Sequence, residues 1–350
     1  MTVAVEPHDT LGTDVVIACL VTDKKYRKMG GNEGLKLAIK RRGGKDRVVI
    51  SQILLEDLLK ETYENDHFER ACECDFDCDG ACFTDKLLKV LKRNLDLPCD
   101  AQVILIHKYS DYFKSQGILK DQVIKLRNWL SGCNFKVLDE PEKIDILSNR
   151  VQTGFLVREM CKLQGFESRG LQWPEFKLKW TEGEFEYPVI VKPVDACATD
   201  EAHWMTLINK KSSGFELSEG CLVQKFHEHF GLLYKVYVIG EIIEIVPRPS
   251  ITAKGSGEVM RFNTHKFKAT EGDLSPEKMT EALERIETVR GLVEEFAKEL
   301  KKKLQLTWFG IDVIIPEEGE LRAAVIDVNY MPGYDGIKEL PDKLIKAILD

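Results

Sequence analysis

Two apolar segments near the C-terminus, residues 306–315 and 321–329, restrict the possible folds of this chain more than any other feature. The turn sequence Pro-Glu-Glu-Gly-Glu joins them and predicts an antiparallel hairpin. Asp327 and Asn329 are two residues apart and project from one strand face, while Asp312 is expected opposite or diagonal to Asp327. Two carboxylates this close repel each other unless a cation lies between them. The hairpin therefore predicts a site for Mg²⁺, which prefers oxygen ligands, with a metal-free structural network as the alternative.

Three basic residues occupy positions where a charge is costly. Lys192 ends the apolar run Pro-Val-Ile-Val, and Lys235 lies inside Leu-Leu-Tyr-Lys-Val-Tyr-Val. A lysine on such a strand loses its hydration unless an anion compensates. Arg248 lies between two prolines, which exclude it from a regular central ladder, and its guanidinium suits bidentate phosphate binding. Each residue alone could reach solvent, but beside an acidic metal site they predict a polyphosphate clamp.

The N-terminal part alternates between strands and helices. Strands are predicted at residues 15–21, 48–50, 103–106 and 135–138, with helices at 34–42, 54–66, 84–94 and 121–131. This alternation predicts a parallel sheet covered by helices, with ligands outside the carboxyl ends of the strands. Lys25, in a basic turn, and Lys108 both follow such ends, which suits an anionic ligand.

The pattern changes after Glu140 and Pro141. Helical segments at 142–149 and 151–163 precede mostly extended segments, and one long helix is predicted from the N-cap Ser275 to about residue 304, with a last helix from about 336. We therefore divide the chain into an N-terminal α/β lobe (1–140), connector helices with a central lobe (141–222) and a C-terminal lobe with the metal site (223–350).

The charge balance excludes some partners. Fifty basic and 58 acidic residues give a net charge of −8, which argues against a general nucleic-acid binder. No apolar run approaches the roughly 20 residues that span a bilayer, and the N-terminus does not follow the pattern of a signal peptide. We expect a monomeric, soluble, cytoplasmic protein, with a nuclear location also open, and neither nucleic acid nor membrane as partner.

Four of the ten cysteines, Cys72, Cys74, Cys78 and Cys82, lie close together in an acidic segment. Their spacing does not match the paired ligands of a zinc site, and the acidic residue that should complete a calcium loop is replaced by Lys86. We favour an acidic surface insertion over a structural metal site.

Familiar nucleotide-binding motifs are missing from the sequence. It contains no Gly-x4-Gly-Lys-Ser/Thr loop, no Gly-x-Gly-x-x-Gly after a strand and no protein-kinase signature. The acidic hairpin and the strand lysines must therefore belong to another phosphoryl-transfer architecture.

Several segments together resemble the ATP-grasp fold and, more narrowly, the inositol-tetrakisphosphate 1-kinase family, also called inositol 1,3,4-trisphosphate 5/6-kinases. The matching segments, which cover about residues 15 to 340 in family order, include IHKYSD (106–111), SNR (148–150), VIVKP (189–193), LVQKF (222–226), LYKVYVIG (233–240), RPS (248–250), FGID (309–312) and VIDVNYMPGY (325–334). LYKVYV followed by RPS narrows the match from the fold to the family.

The resemblance implies an α/β fold of three lobes, in which the central and C-terminal lobes clasp ATP and the N-terminal lobe presents an inositol polyphosphate. It implies that ATP, leaving as ADP, contacts Arg150, Lys192, Gln224, Phe226, Arg248 and Ser250. It implies that the inositol phosphate contacts Lys25, Lys108, His203, Lys235, Asn329 and Gly333. Mg²⁺ would be held by Asp312, Asp327 and Asn329, and the catalytic residues would be Lys192, Lys235 and Asp327.

The sequence departs from the family pattern at Cys197-Ala198, where the family carries His-Gly. Glycine allows a closer backbone approach to phosphates than alanine, so we expect a different phosphate-covering loop here. Two alternatives to the kinase stay open. One is a carboxylate-amine ligase that uses the same metal and lysines, and the other is an inositol-phosphate binding protein without catalytic activity.

Overall fold

The computed structural model describes residues 15–21, 23–42, 48–52, 102–114, 120–132, 136–179, 185–197, 200–210, 218–254, 257–264 and 275–350. The strands in these ranges are β1 (Val15–Leu20), β2 (Val48–Gln52), β3 (Gln102–His107), β4 (Lys136–Leu138), β5 (Leu171–Gln172), β6 (Phe176–Lys177), β7 (Val189–Pro193), β8 (Trp204–Ile208), β9 (Cys221–Lys225), β10 (Leu232–Ile239), β11 (Ile242–Pro249), β12 (Val259–Asn263), β13 (Trp308–Ile314) and β14 (Ala323–Tyr330). The helices are α1 (Asp23–Lys28), α2 (Gly31–Arg42), α3 (Lys120–Ser131), α4 (Pro141–Asp145), α5 (Arg150–Leu163), α6 (Pro276–Glu287), α7 (Arg290–Leu304) and α8 (Leu340–Leu349). Among these helices, none combines the length and the apolar character that a membrane crossing requires.

The N-terminal sheet is parallel throughout, as the alternation predicts, with strand order β2-β1-β3-β4. The ends of β1 and β3 lie side by side, so the segments that carry Lys25 and Lys108 meet at one edge of the sheet. The predicted basic turn is wrong for Lys25, which lies on the short helix α1. The predicted helices at 54–66 and 84–94 and the cluster Cys72, Cys74, Cys78 and Cys82 lie outside the described residues.

The central sheet is antiparallel, with strand order β12-β8-β7-β9-β6. One face carries the apolar cluster Phe185, Val189, Val191, Ile208 and Val223. The other face carries Ile190, Met205, Leu207 and Phe226. Successive strand residues point to opposite faces, so Lys192 and Gln224 project from the same face as Ile190 and Phe226.

The C-terminal sheet has the order β11-β10-β13-β14-β5, and only the short strand β5 runs parallel to its neighbour. Lys235 pairs with Asp312 across β10 and β13, and Asp312 pairs with Asp327 across β13 and β14. The register then shifts at a bulge that leaves Ile326 without a partner residue on β13. Arg248 lies on the edge strand β11, consistent with its predicted exclusion from a central ladder.

The chain passes back and forth between the central sheet and the C-terminal sheet. Strand β12 follows β10 and β11 in sequence but joins the central sheet, and β5 precedes the central strands but joins the C-terminal sheet. The central sheet therefore draws residues from both sides of position 222. The lobe boundaries at 140 and 222 stay predictions.

Two helix predictions were wrong. The long helix predicted to about residue 304 is two helices, α6 and α7, although Ser275 does cap α6 by accepting a hydrogen bond from Lys278 N at 3.3 Å. The break falls at Thr288 and Val289, a β-branched pair with low helix propensity, and Val289 has φ −128°. The last helix begins at Leu340, not near 336.

One large apolar core joins the N-terminal and C-terminal sheets, whereas the central sheet has its own two smaller clusters. Helix α7 supplies six buried residues to the large core: Leu292, Val293, Phe296, Ala297, Leu300 and Leu304. The N-terminal and C-terminal sheets therefore share one core, to which the central sheet contributes Phe176 and Leu222.

We expect Leu300→Ala to lower the free energy of unfolding by roughly 2–5 kcal/mol, because Leu300 is fully buried and the substitution leaves a cavity. Leu163→Ala is the matched control, since Leu163 is also helical but 75% exposed, and its effect should stay within about 0.5 kcal/mol. Urea denaturation of both variants measures the difference. Equal losses would contradict the assignment of α7 to the core.

Candidate functional site

A cavity of about 1190 Å³ opens where the three sheets meet. Every one of the fourteen predicted site residues lines it: Lys25, Lys108, Arg150, Lys192, His203, Gln224, Phe226, Lys235, Arg248, Ser250, Asp312, Asp327, Asn329 and Gly333. The predicted residues come from distant parts of the sequence, and the fold brings them to one place.

Three charged residues that line the cavity, Lys235, Asp312 and Asp327, lie side by side on β10, β13 and β14 and are called the acidic row. Lys235 Nζ donates to Asp312 Oδ1 at 2.8 Å, and Asp327 is the next residue across the ladder. Burial raises the pKa of Asp312; the charge of Asp327 adds to this effect, while Lys235 opposes it. Burial acts to lower the pKa of Lys235, but Asp312 and Asp327 outweigh it, so that pKa is raised. The carboxylates of Asp312 and Asp327 therefore carry more negative charge than the single ammonium group of Lys235 compensates.

Lys192 reaches the same row from the central sheet. It is only 4% exposed, and its Nζ donates to the carbonyl oxygen of Ile326 at 3.0 Å. Ile326 is the bulged residue, which lacks a partner on β13. Burial lowers the pKa of Lys192 to about 8, against the raising effect of Asp327. The bulge and Lys192 thus connect the central and C-terminal sheets at the acidic row.

Arg150, at the start of α5, is also buried and carries out a structural role. Its Nη1 donates to the carbonyl oxygens of Pro193 and Asp195, each at 2.8 Å, and its Nη2 donates to that of Ala202 at 3.3 Å. The same Nη2 lies 3.9 Å from Asp327 Oδ2. The guanidinium therefore fixes the segment after Lys192 close to the acidic row.

The central sheet lines one end of the cavity with apolar side chains. These are Ile190, Met205, Phe226, Ile251 and Phe262. Gln224 lies beside them, is 1% exposed, and its Nε2 has no hydrogen-bond partner among the described residues. This end offers a flat apolar ligand an apolar surface and one buried amide donor.

Lysines of the N-terminal lobe line the opposite end. Lys25 Nζ donates to the carbonyl oxygens of Met331 and, at 2.8 Å, of Pro332, and Lys108 Nζ donates to Met331 at 3.2 Å. Burial lowers the pKa of Lys25 well below its usual range, and the neighbouring ammonium of Lys108 adds to this effect. The two lysines thus bind the segment 331–335 that follows Asn329.

The same end contains two outer ion pairs. Lys108 lies 3.2 Å from Asp111, and Lys28 lies 3.4 Å from Asp335. Arg248 donates from Nη2 to the carbonyl oxygen of Asp335. Gly333 lies at this end too, and a Cβ there would be 2.9 Å from Asp335 Oδ2, so a side chain at this position would require the exposed Asp335 carboxylate to move.

Ser250, which is predicted to lie on the nucleotide side, has other polar residues near it in the cavity. Ser250 Oγ lies 2.8 Å from His229 Nε2, and both residues line the cavity. His203 also lines it, in a short 3-10 turn whose backbone N–H donates to Asp200. Cys197 lines the cavity as well, while Ala198 lies outside the described residues.

The residues at the acidic row fit a magnesium ion chemically. Within the described ranges no three His, Cys, Asp or Glu side chains come together as a metal site. The predicted ligand set needs only two carboxylates, Asp312 and Asp327, and the amide oxygen of Asn329, all of which line the cavity. Magnesium usually takes one or two protein carboxylates and completes its shell with water and phosphate oxygens, which this set allows.

Sequence reasoning missed several residues of the site. Lys28 follows Lys25 by one helical turn on α1, so the i, i+3 spacing could have indicated it. Asp335 directly follows the matching segment 325–334. His229 and Met205 could not be predicted as site residues, because the sequence around a lone histidine or a core methionine does not show whether it lines a cavity.

The sequence is similar to that of a family of known proteins. The sequence model described as the inositol 1,3,4-trisphosphate 5/6-kinase ATP-grasp domain matches residues 176–350, half of the chain. Inositol-tetrakisphosphate 1-kinase from Danio rerio is 26% identical over 291 residues, covering 75% of this chain and 71% of that protein. Inositol-tetrakisphosphate 1-kinase 1 from Arabidopsis thaliana is 28% identical over 250 residues, covering 66% of this chain and 75% of that protein.

The fold is also similar to that of a solved structure. Macrocyclase MdnC from Microcystis aeruginosa MRC, bound with precursor peptide MdnA, superposes with a TM-score of 0.52 at 11% identity, covering 95% of this chain and 98% of that chain. At this identity the likeness concerns the fold alone. The family match confirms the predicted ATP-grasp fold. The chain thus belongs to the inositol 1,3,4-trisphosphate 5/6-kinase family, whose ATP-grasp domain its residues 176–350 form.

Proposed function

We propose that this protein transfers the γ-phosphoryl group of ATP to a hydroxyl group of an inositol tris- or tetrakisphosphate. The observation that carries the proposal is the cavity itself, which has an apolar end, an acidic row with one buried and one partly buried lysine in the middle and three further lysines at the other end. Membership of the family supports the same reaction. The cavity thus offers matching surfaces for a nucleoside, a metal-bound triphosphate and a polyanionic acceptor.

The nucleotide occupies the central-sheet end in this proposal. Its adenine lies against Ile190, Met205 and Phe226, and the free Nε2 of Gln224 donates to a ring nitrogen. Ser250 lies on the nucleotide side in this proposal, and Arg248, which donates to the carbonyl oxygen of Asp335 at the other end, is proposed to contact the phosphates. Lys192 neutralises phosphate oxygens, and Arg150 holds the segment after Lys192 in place while it faces the same phosphates.

Mg²⁺, held by Asp312, Asp327 and Asn329, would neutralise phosphate charge and help to orient the transferred group. Lys235, paired with Asp312 in the structure, faces both the phosphates and the acceptor in this proposal. The proposal assigns no side chain as general base, because this kind of phosphoryl transfer depends mainly on positioning and charge neutralisation.

The acceptor occupies the lysine-rich end. Lys25, Lys108, His203, Lys235, Asn329 and Gly333 face the inositol phosphate in this proposal. The carbonyl oxygens that now accept from Lys25 and Lys108 occupy the positions that phosphate oxygens can take on these ammonium groups. A carboxylate-amine ligase would use the same acidic row but gives no reason for this lysine cluster. The monomeric state and the cytoplasmic location stay predictions.

A panel assay of ADP release tests the function. We expect ADP release with Mg²⁺ and at least one inositol tris- or tetrakisphosphate, and none with pairs of a carboxylate and an amine. Release that requires a carboxylate and an amine would establish the ligase instead. Tight, salt-sensitive binding of the inositol phosphate without any ADP would establish a binding protein.

We expect Asp327→Asn to lower kcat/KM by about 100-fold or more, since it removes one charged ligand from the acidic row. The variant should fold, because the substitution relieves repulsion between Asp327 and Asp312. Glu320→Gln is the matched control, as Glu320 lies exposed in the turn of the same strand pair, and it should keep wild-type activity. Full activity of Asp327→Asn at saturating Mg²⁺ would remove the metal assignment.

The pKa of Lys192 predicts proton uptake when ATP binds. Lys192 has a pKa of about 8 in the free protein, and phosphate charge beside its ammonium raises that pKa. Binding should therefore take up about half a proton at pH 8 and weaken as the pH rises above 8, because the neutral amine must first be protonated.

Calorimetry of ATP binding at pH 8 in buffers of different ionisation enthalpy measures this uptake. Lys192→Arg stays charged at this pH and should abolish the uptake attributable to residue 192 while it keeps the positive charge. An uptake that is unchanged in Lys192→Arg would show that another group takes up the proton.

A further inference from the structure

His229 is a buried histidine at the nucleotide side of the cavity. It is 3% exposed, and its ring lies against that of Phe226 with centroids 5.4 Å apart. Its Nδ1 is 2.6 Å from the carbonyl oxygen of His227, and its Nε2 is 2.8 Å from Ser250 Oγ. Both ring nitrogens thus have one partner each.

These two contacts determine where the protons lie. A carbonyl oxygen can only accept, so Nδ1 must carry a proton and donate to His227. Burial lowers the pKa of His229, which keeps the imidazole neutral near pH 7. The second nitrogen of a neutral imidazole is a bare acceptor, so the Ser250 hydroxyl must donate its proton to Nε2.

Ser250 is then left with an oxygen that can only accept. The backbone also holds it in place, since Ser250 N–H donates to Gly231 at 2.7 Å. Phosphate oxygens are themselves acceptors and cannot donate to this oxygen. The partner of Ser250 in the cavity must therefore be an O–H or N–H group.

We propose that His229 is a positioning residue, which turns the Ser250 hydroxyl proton away from the cavity so that Ser250 Oγ accepts a hydrogen bond from the nucleoside part of ATP. The donor is a ribose hydroxyl or the exocyclic amine of adenine. This inference rests on the proposed function, in which ATP occupies this end of the cavity. It assigns Ser250 to nucleoside recognition rather than to the phosphates.

Calorimetric binding of ATP, 2′-deoxy-ATP, 3′-deoxy-ATP and purine riboside triphosphate tests the assignment. We expect the wild-type protein to bind the analogue that lacks the donor about tenfold more weakly than ATP, the size of one hydrogen bond. The identity of that analogue distinguishes ribose from amine. In Ser250→Ala this discrimination should fall to about twofold or less, since the acceptor is gone.

Two substitutions at His229 separate positioning from packing. His229→Phe keeps a ring but removes the acceptor for the Ser250 proton, and we expect it to reduce the discrimination toward that of Ser250→Ala. His229→Gln can place an amide oxygen near the former Nε2 and should restore it. Thr252→Val is the matched control: Thr252 is exposed, its hydroxyl donates to Glu228 at 2.9 Å, and the discrimination should keep its wild-type value.

Discrimination that persists in Ser250→Ala, or equal binding of ATP and all three analogues to the wild type, would overturn the inference. Failure of the proposed function has a different signature in the ADP-release panel, where the protein would release no ADP with any inositol phosphate or would require a carboxylate and an amine. Ser250→Ala tests the assignment even if His229→Phe does not fold.

Discussion

The site depends on how the fold accommodates a group of buried and partly buried charges. Asp312 and Asp327 face each other across two strands, and Lys235 and Lys192 approach them from two different sheets. Neither lysine could stay buried without the carboxylates, and the carboxylates could not lie so close without nearby cations. This mutual requirement explains why the charged residues sit where the sheets meet and not on an outer face.

The bulge at Ile326 provides a hydrogen-bond contact between the C-terminal sheet and the central sheet. An unpaired residue in β14 leaves the carbonyl oxygen of Ile326 available to Lys192, which belongs to the central sheet. Arg150 ties the segment after Lys192 to the same place, and Lys25 ties the N-terminal lobe to the segment after β14. The three sheets are therefore coupled through the residues 325–335, which also line the cavity in part.

Much of the site could be predicted from sequence because strand periodicity is strict. Asp327 and Asn329 are two residues apart, as are Ile190 and Lys192. Each pair therefore shares one face of its strand as soon as the strand is recognised. The prediction of one continuous helix through Thr288 was wrong, because periodicity alone does not show where a helix ends. The apolar periodicity continues across the break, the low helix propensity of Thr288 and Val289 is only a weak signal, and the backbone angles of Val289 show where the first helix ends.

By itself, the sequence determined the strand faces, the acidic hairpin and the family resemblance, because these follow from local periodicity and contiguous motifs. Tertiary structure alone decided that Met205 and His229 line the cavity. Their roles depend on residues far away in the chain, such as Ser250 for His229, and no local pattern encodes such a pairing. The protonation of His229 and Lys192 was likewise decided by the fold, since burial sets the pKa of a side chain and burial is a property of the packed molecule.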